Sequence, residues 1–195
     1  MPTGVAIRDV REQLFDAAER VLLRAGPSAL TSRAVTTEAG VAKGVLHRHF
    51  ADFDDFLVEL VKDRTTRLGA QSDALRRSAG TGTVAGNLTV VLSDLFMSVA
   101  SSIVGLFIFR DELRARLRRT YPTGLPLLTE AAAMISAYLA AERDLGRVAD
   151  GADLDTVALT LIGTGHLLFA GGDAPDADAV HAVMSTAIAG VATDR

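Results

Sequence analysis

Residues 31–50 read TSRAVTTEAGVAKGVLHRHF, two short helix-forming runs separated by a glycine. Thr31 stands where an N-cap belongs, because its hydroxyl can accept from an amide of the first turn, and the run it opens extends to Ala39. Gly40 can then take the left-handed conformation that ends a helix. A second run covers 43–49. Two short helices joined in this way predict a helix-turn-helix, whose second helix fits a major groove. At about 100° per residue, Lys43, Gly44, His47 and Arg48 share one side of that helix, while Val45, Leu46 and His49 fall on the other. Lys43 and Arg48 can neutralise phosphates or reach guanine acceptors, and His47 can donate to a phosphate or a base. Gly44 lets backbone approach a duplex closely. Thr31 and Ser32 offer hydroxyls and amides to a phosphate, with Arg33 one step further in. Each of these residues alone reads as a solvated charge or a plain cap; the arrangement as a whole points to DNA. His49, on the inner side, is expected to pack inward and bond to the domain's own backbone.

Outward from this segment the apolar periods remain helical. Leu14, Ala18, Val21 and Ala25 mark a first helix over 7–24, stopped by Gly26-Pro27. Asp52 reads as the cap of a long fourth helix carrying Phe53, Phe56, Leu57, Leu60, Val61 and Leu68 and fraying near residues 78–80, with Gly80–Gly82 as a linker. Further helices are expected over 83–109, 111–119, 127–144, 154–169 and 176–192, with breaks at 121–126 and at Gly171-Gly172 and Pro175. No alternating strand pattern is long enough to build a sheet. The expectation is an all-α chain of about nine helices: a helix-turn-helix domain over 1–52 and a helical domain over 53–195.

With 195 residues the chain can bury a core without disulfides or a structural metal. It has no cysteine, which excludes thiol chemistry, disulfides and cysteine metal sites. His47 and His49 project to different faces, and His166 and His181 have no carboxylate at ligand spacing, so neither a metal nor a cofactor is expected. The net charge of −4 is unevenly spread: seven Lys and Arg against five Asp and Glu over residues 1–50, but eight against thirteen over 81–195. A mildly basic front is joined to an acidic remainder. The opening MPTGVAIRDVREQ lacks the apolar run of a signal peptide. The apolar stretch 87–109 contains Asp94 and four serines and reads as a buried helix rather than a membrane span. A cytoplasmic protein is expected.

The run from Arg11 to Leu60 resembles the amino-terminal domain of TetR-type bacterial transcriptional regulators. The resemblance is carried by LFDAAERVLLRAG and ALTSRAVTTEAGVAKGVLHRHFADFDDFL, about a quarter of the chain. It implies that Thr31, Ser32, Arg33, Lys43, Gly44, His47 and Arg48 contact DNA. It also implies a homodimer formed through the last two helices on a palindromic operator, released by a small-molecule effector. Three positions depart from the pattern: His47 replaces a usual tyrosine, Val45 a small hydroxyl residue, and Phe53 a lysine that contacts phosphate. Asp52, Asp54 and Asp55 around Phe53 are expected to repel the DNA backbone.

For the remainder, Leu154, Ala158, Leu161 and Gly165 form one stripe and Val180, Met184, Ala187 and Val191 another, readable as internal core or as a dimer interface. Phe96, Met97, Phe107, Met134, Tyr138 and His166 are candidates for an effector pocket, each equally readable as core. The arginines at 110, 114, 116, 118 and 119 read as a solvated helix face or an attractor for an acidic ligand. The competing reading is an α-helical enzyme or small-molecule carrier in which the amino-terminal module is incidental. Against an enzyme, there are no paired carboxylates at matched spacing, no serine nucleophile turn and no phosphate loop.

Overall fold

A computed structural model describes residues 7–98, 100–122, 124–170 and 175–193. They fold as α1 (Ile7–Ala25), a 3-10 turn (Pro27–Ala29), α2 (Ser32–Glu38), α3 (Gly44–His49), α4 (Phe53–Arg77), α5 (Val84–Met97), α6 (Ala100–Phe109), α7 (Asp111–Thr120), α8 (Pro126–Asp144), α9 (Leu154–Phe169) and α10 (Ala177–Ile188). The only bridge among the described residues is an isolated one between Val148 and Ala192, so the all-α expectation holds. The expected helix over 83–109 is two. Ser98 takes an extended conformation (φ −78°, ψ 176°) and its hydroxyl donates to the Leu95 carbonyl, ending α5 there. The Gly171-Gly172 break and Thr123 lie outside the described residues.

The chain forms two compact units, divided at 63/64, 101/102 and 123/124. The first holds α1–α3, the start of α4, most of α6, and α7. Its core joins Leu14, Phe15, Ala18, Val21 and Leu22 of α1 to Leu30, Val35, Leu46, Phe50, Phe56, Leu57 and Leu60, all buried. The rings of Phe15, Phe50 and Phe56 lie 5.0–5.8 Å apart, with Phe50 edge-on to Phe56. Such pairs contribute about 0.5–1.5 kcal/mol each beyond area burial. On the surface, Arg20 and Arg24 of α1 both donate to the Glu38 carboxylate at 2.8 Å, fastening α1 to α2 and holding that carboxyl below its ordinary range.

The second unit packs α5, α8, α9 and α10 with residues 64–77 of α4. Its core includes Leu88, Leu92, Leu95, Ile135, Leu139, Leu161, Val180 and Met184. The Leu154, Ala158, Leu161 and Gly165 stripe lies inside this core, and Val180 and Met184 face it. At Gly165 a Cβ would run into the Phe96 ring, so the helix can pass that ring only as glycine. A buried polar cluster sits beside the apolar core. The Tyr138 hydroxyl donates to Glu142 Oε1 (2.5 Å) and accepts from Asn87 Nδ2 (3.0 Å). Glu142 Oε2 accepts from the Gly80 amide (3.2 Å) and pairs with Arg147 (3.5 Å), which donates to the Gly82 carbonyl (2.7 Å). Burial and the adjacent carboxylate push the Tyr138 phenol well above its ordinary value. The cluster ties the α4–α5 turn to α8.

Two outcomes test these packing arguments. Gly165→Ala is expected to cost about 1–3 kcal/mol through the Phe96 clash. Gly69→Ala in α4, which meets nothing within 4 Å, should gain about 0.5–1 kcal/mol of helix propensity; denaturant midpoints compare the two. Glu38→Gln should lower the thermal midpoint at pH 7. Because the Glu38 carboxyl is depressed below 4.5 by Arg20 and Arg24, its stabilisation is present above that pH and lost as pH falls through the lower folded-state value. The gap between variant and parent should therefore close in melts taken below pH 4.5.

Candidate nucleic-acid interface

Helix α2 begins where Thr31, in extended conformation, accepts from the Ala34 amide (3.1 Å). It ends at Gly40, with φ +67°, whose amide donates to the Thr37 carbonyl while that of Val41 donates to Thr36. The Thr36 side chain is buried and donates back to the Ser32 and Arg33 carbonyls (3.0 and 3.2 Å). Helix α3 follows after three residues, 41–43. Of its six residues only Leu46 is fully buried; Gly44, His47 and Arg48 are exposed, as is Lys43 before it.

Side chains far away in sequence hold the two helix ends. Gln13 Nε2 donates to the Ala39 carbonyl (2.8 Å) and Arg11 Nη1 to the His49 carbonyl (3.4 Å), each satisfying an orphan acceptor at a helix C-terminus. The Arg11 guanidinium also pairs with Glu59 (3.1 Å) and lies 4.5 Å over the Phe50 ring. His49 is half-buried beside Phe50, and it is its carbonyl rather than its ring that makes this backbone bond. Sequence reasoning missed Arg11 and Gln13, because nothing local connects them to residues 38 and 26 positions away.

Thr31 and Arg33 at the start of α2 and Lys43, Gly44, His47 and Arg48 along α3 are all exposed. Arg33, Lys43 and Arg48 form no ion pair with the described residues. A Cβ built on Gly44 meets nothing within 4 Å, so its surface is open. Ser32 differs from the other six: its hydroxyl oxygen is shielded from solvent and has no hydrogen-bond partner among the described residues.

The acidic start of α4 is not bare. Asp52 caps α4 by accepting from the Asp55 amide (2.7 Å), and Asp55 accepts from the Ala51 amide (3.0 Å). Arg116 of α7 grips Asp52 through both terminal nitrogens (2.8 and 2.9 Å), holding that carboxyl below its ordinary range with help from the Asp55 amide. Arg110 pairs with Asp54 (3.4 Å), lies 5.2 Å over the Phe53 ring and donates to the Leu30 carbonyl (2.9 Å). Arg110 and Arg116 are therefore structural partners rather than members of a solvated face, and Arg114 bonds Asp111 and the Phe107 carbonyl.

The six candidate pocket residues are divided between the two compact units. Phe107 belongs to the first compact unit, the other five to the second. Tyr138 is consumed by the buried cluster, Phe96 packs on Phe169 (5.5 Å) beside His166, and Met97 is exposed. Met134 lines a groove of about 280 Å³ with Thr65, Leu68, Ser72 and Glu130. A second groove, of about 270 Å³, lies between α4 and α5 and is lined by Gln71, Leu75, Val90 and Asp94.

Residues 14–60 match the sequence model described as "Bacterial regulatory proteins, tetR family". No curated protein matches the chain in sequence. Among solved structures, the fold is similar to a TetR-family transcriptional regulator from Agrobacterium tumefaciens (TM-score 0.72, 13% identity, 95% of this chain and 99% of that one). It is similar also to the transcriptional regulator FadR from Bacillus subtilis in complex with stearoyl-CoA (0.68, 19%, 92% and 98%) and to the reduced form of E. coli NemR (0.70, 14%, 95% and 98%). At these identities the structures speak for the fold alone, and the family match covers residues 14–60. Residues 14–60 are thus similar to the tetR family of bacterial regulatory proteins, and the chain as a whole shares its fold with solved transcriptional regulators.

Proposed function

We propose that the protein is a homodimeric transcriptional repressor that binds a palindromic operator and is released from it by a small-molecule effector. The observation that carries this reading is the set of exposed, unpaired cations on α2 and α3, Arg33, Lys43 and Arg48, within the matched segment. Lys43 and Arg48 engage phosphates or guanine edges, His47 a phosphate or base, and Gly44 the close backbone approach. Thr31 and Arg33 position α2 on a phosphate, and Ser32 joins them by a χ1 rotation that breaks no existing hydrogen bond. The protein acts where the DNA is, in the cytoplasm; no helix among the described residues is long and apolar enough to cross a membrane.

Dimerisation is assigned to α9 and α10. With the Leu154–Gly165 stripe inside the core, the free face of α9 carries Leu159 (63% exposed), Gly163 and Leu167 (78% exposed) at successive turns. Burying two such leucines against a second copy is worth about 1.5–3 kcal/mol each. Two-fold symmetry then sets paired α3 helices about 34–36 Å apart. The effector site is assigned to the second unit, with the grooves along residues 65–78 as its entrances. α4 contributes residues 53–63 to the DNA-binding unit and the rest to the other. A ligand that favours one setting of this helix disfavours the DNA-competent one by its differential affinity.

Selection from a random duplex pool should return a palindrome whose half-sites lie about 10–10.5 bp apart or a multiple of it; a pool that stays random would overturn the reading. On the selected duplex, Lys43→Ala and Arg48→Ala should each weaken binding with unchanged melting. Each should also flatten the salt dependence by about one unit of slope for every phosphate the variant no longer neutralises. His47→Ala should cost less than about ten-fold. Leu159→Glu combined with Leu167→Glu should give a folded monomer at micromolar concentration by sedimentation; a persistent dimer would remove α9 from the interface.

A further inference from the structure

Three aspartates stand at 52, 54 and 55, directly after α3, while the first turn of α4 holds no cation of its own. Asp52 follows His49 by three residues, at most about 11 Å of extended chain. The Debye length at physiological ionic strength is about 8 Å. Carboxylates so placed are felt by any phosphate that α3 engages. Yet two of the three are matched by guanidinium groups more than fifty residues away: Arg116 on Asp52 with two bonds, and Arg110 on Asp54. The third, Asp55, turns back onto the Ala51 amide at the positive end of α4. Arg110 goes further, reaching the Leu30 carbonyl just before Thr31, so one side chain touches the starts of both α2 and α4.

We infer that α7 is an electrostatic part of the DNA-binding surface, in which Arg116, seconded by Arg110 at the head of the helix, cancels the carboxylates that would otherwise repel the operator backbone. This inference rests on the DNA-binding reading above. It makes Arg116 a positioning and charge-cancelling residue with no need to touch DNA itself. It also separates two roles that a salt bridge can have. If the pair were only a mechanical tether, removing either partner would harm the DNA-binding unit alike. If its role is to cancel charge, removing the arginine and removing the carboxylate act in opposite directions.

The test uses the full chain and the duplex it selects. Asp52→Asn keeps a side-chain oxygen for the Asp55 amide and deletes the charge. It should bind DNA as tightly as the parent or more tightly. Arg116→Ala leaves Asp52 bare. A unit charge about 8 Å from a phosphate in water changes binding by a factor of about 2.4, or about six-fold over two half-sites. That loss should appear at low salt and fade toward 1 M, where screening falls to about 3 Å. The double variant Arg116→Ala with Asp52→Asn should return to parental affinity. Weaker binding by Asp52→Asn, or no rescue in the double variant, would overturn the inference. Asp52→Asn decides it even if Arg116→Ala fails to fold. A parent chain that selects no duplex overturns the DNA-binding reading and this inference with it, whereas a parent that binds while Asp52→Asn weakens binding overturns this inference only.

Discussion

A helix of six residues makes too few hydrogen bonds to persist alone in water, since nucleation costs more than one turn returns. Helix α3 therefore exists only as far as Leu46 and Phe50 are held. Leu46 is wholly buried, and Phe50 closes the helix by packing against Phe15 of α1 and Phe56 of α4. Everything on the opposite edge inherits its direction from those two side chains. Arg11 completes the arrangement by capping the end of α3 while resting on the Phe50 ring, so the same side chain fixes the helix axially and laterally.

The basic character of α2 and α3 is a matter of pairing rather than of number. The first fifty residues hold only two more cations than anions. In the folded unit Glu38 is matched by Arg20 and Arg24, Glu59 by Arg11 and Lys62, Asp52 by Arg116 and Asp54 by Arg110. Arg33, Lys43 and Arg48 remain without acidic partners among the described residues. A nearly balanced sequence thus leaves three exposed cations unpaired on α2 and α3, which an acidic whole-chain charge conceals.

Local signals make the helices of the first sixty residues readable: Thr31 as a cap, Gly40 as a stop, Asp52 as a start, and Leu46 opposite Lys43 and Arg48. The long-range partners are not readable, because pairs such as Arg116 with Asp52 are sixty-four residues apart and leave no periodic trace. Reading 52–55 as bare carboxylates misses these partners for that reason. Farther along, the end of α5 at Ser98 is hidden because the residues around it are apolar or small and helical periodicity runs through the break. The stripe around Leu161 cannot be assigned to core or interface until packing shows which side of α9 is filled. Aromatic and methionine content likewise does not define a pocket, since Tyr138 and Phe96 are spent on internal packing.

Glu142 is the centre of the buried polar cluster of the second unit. Its carboxylate is fully buried and satisfied by groups from three separate stretches: the Gly80 amide, the Tyr138 hydroxyl and the Arg147 guanidinium, with Asn87 bonded to the tyrosine in turn. Stranding a buried charge costs about 3–5 kcal/mol, a large share of a domain's stability. Asn87, Tyr138, Glu142 and Arg147 are thus free to drift only as a set, so relatives should keep all four or replace all four with an apolar filling.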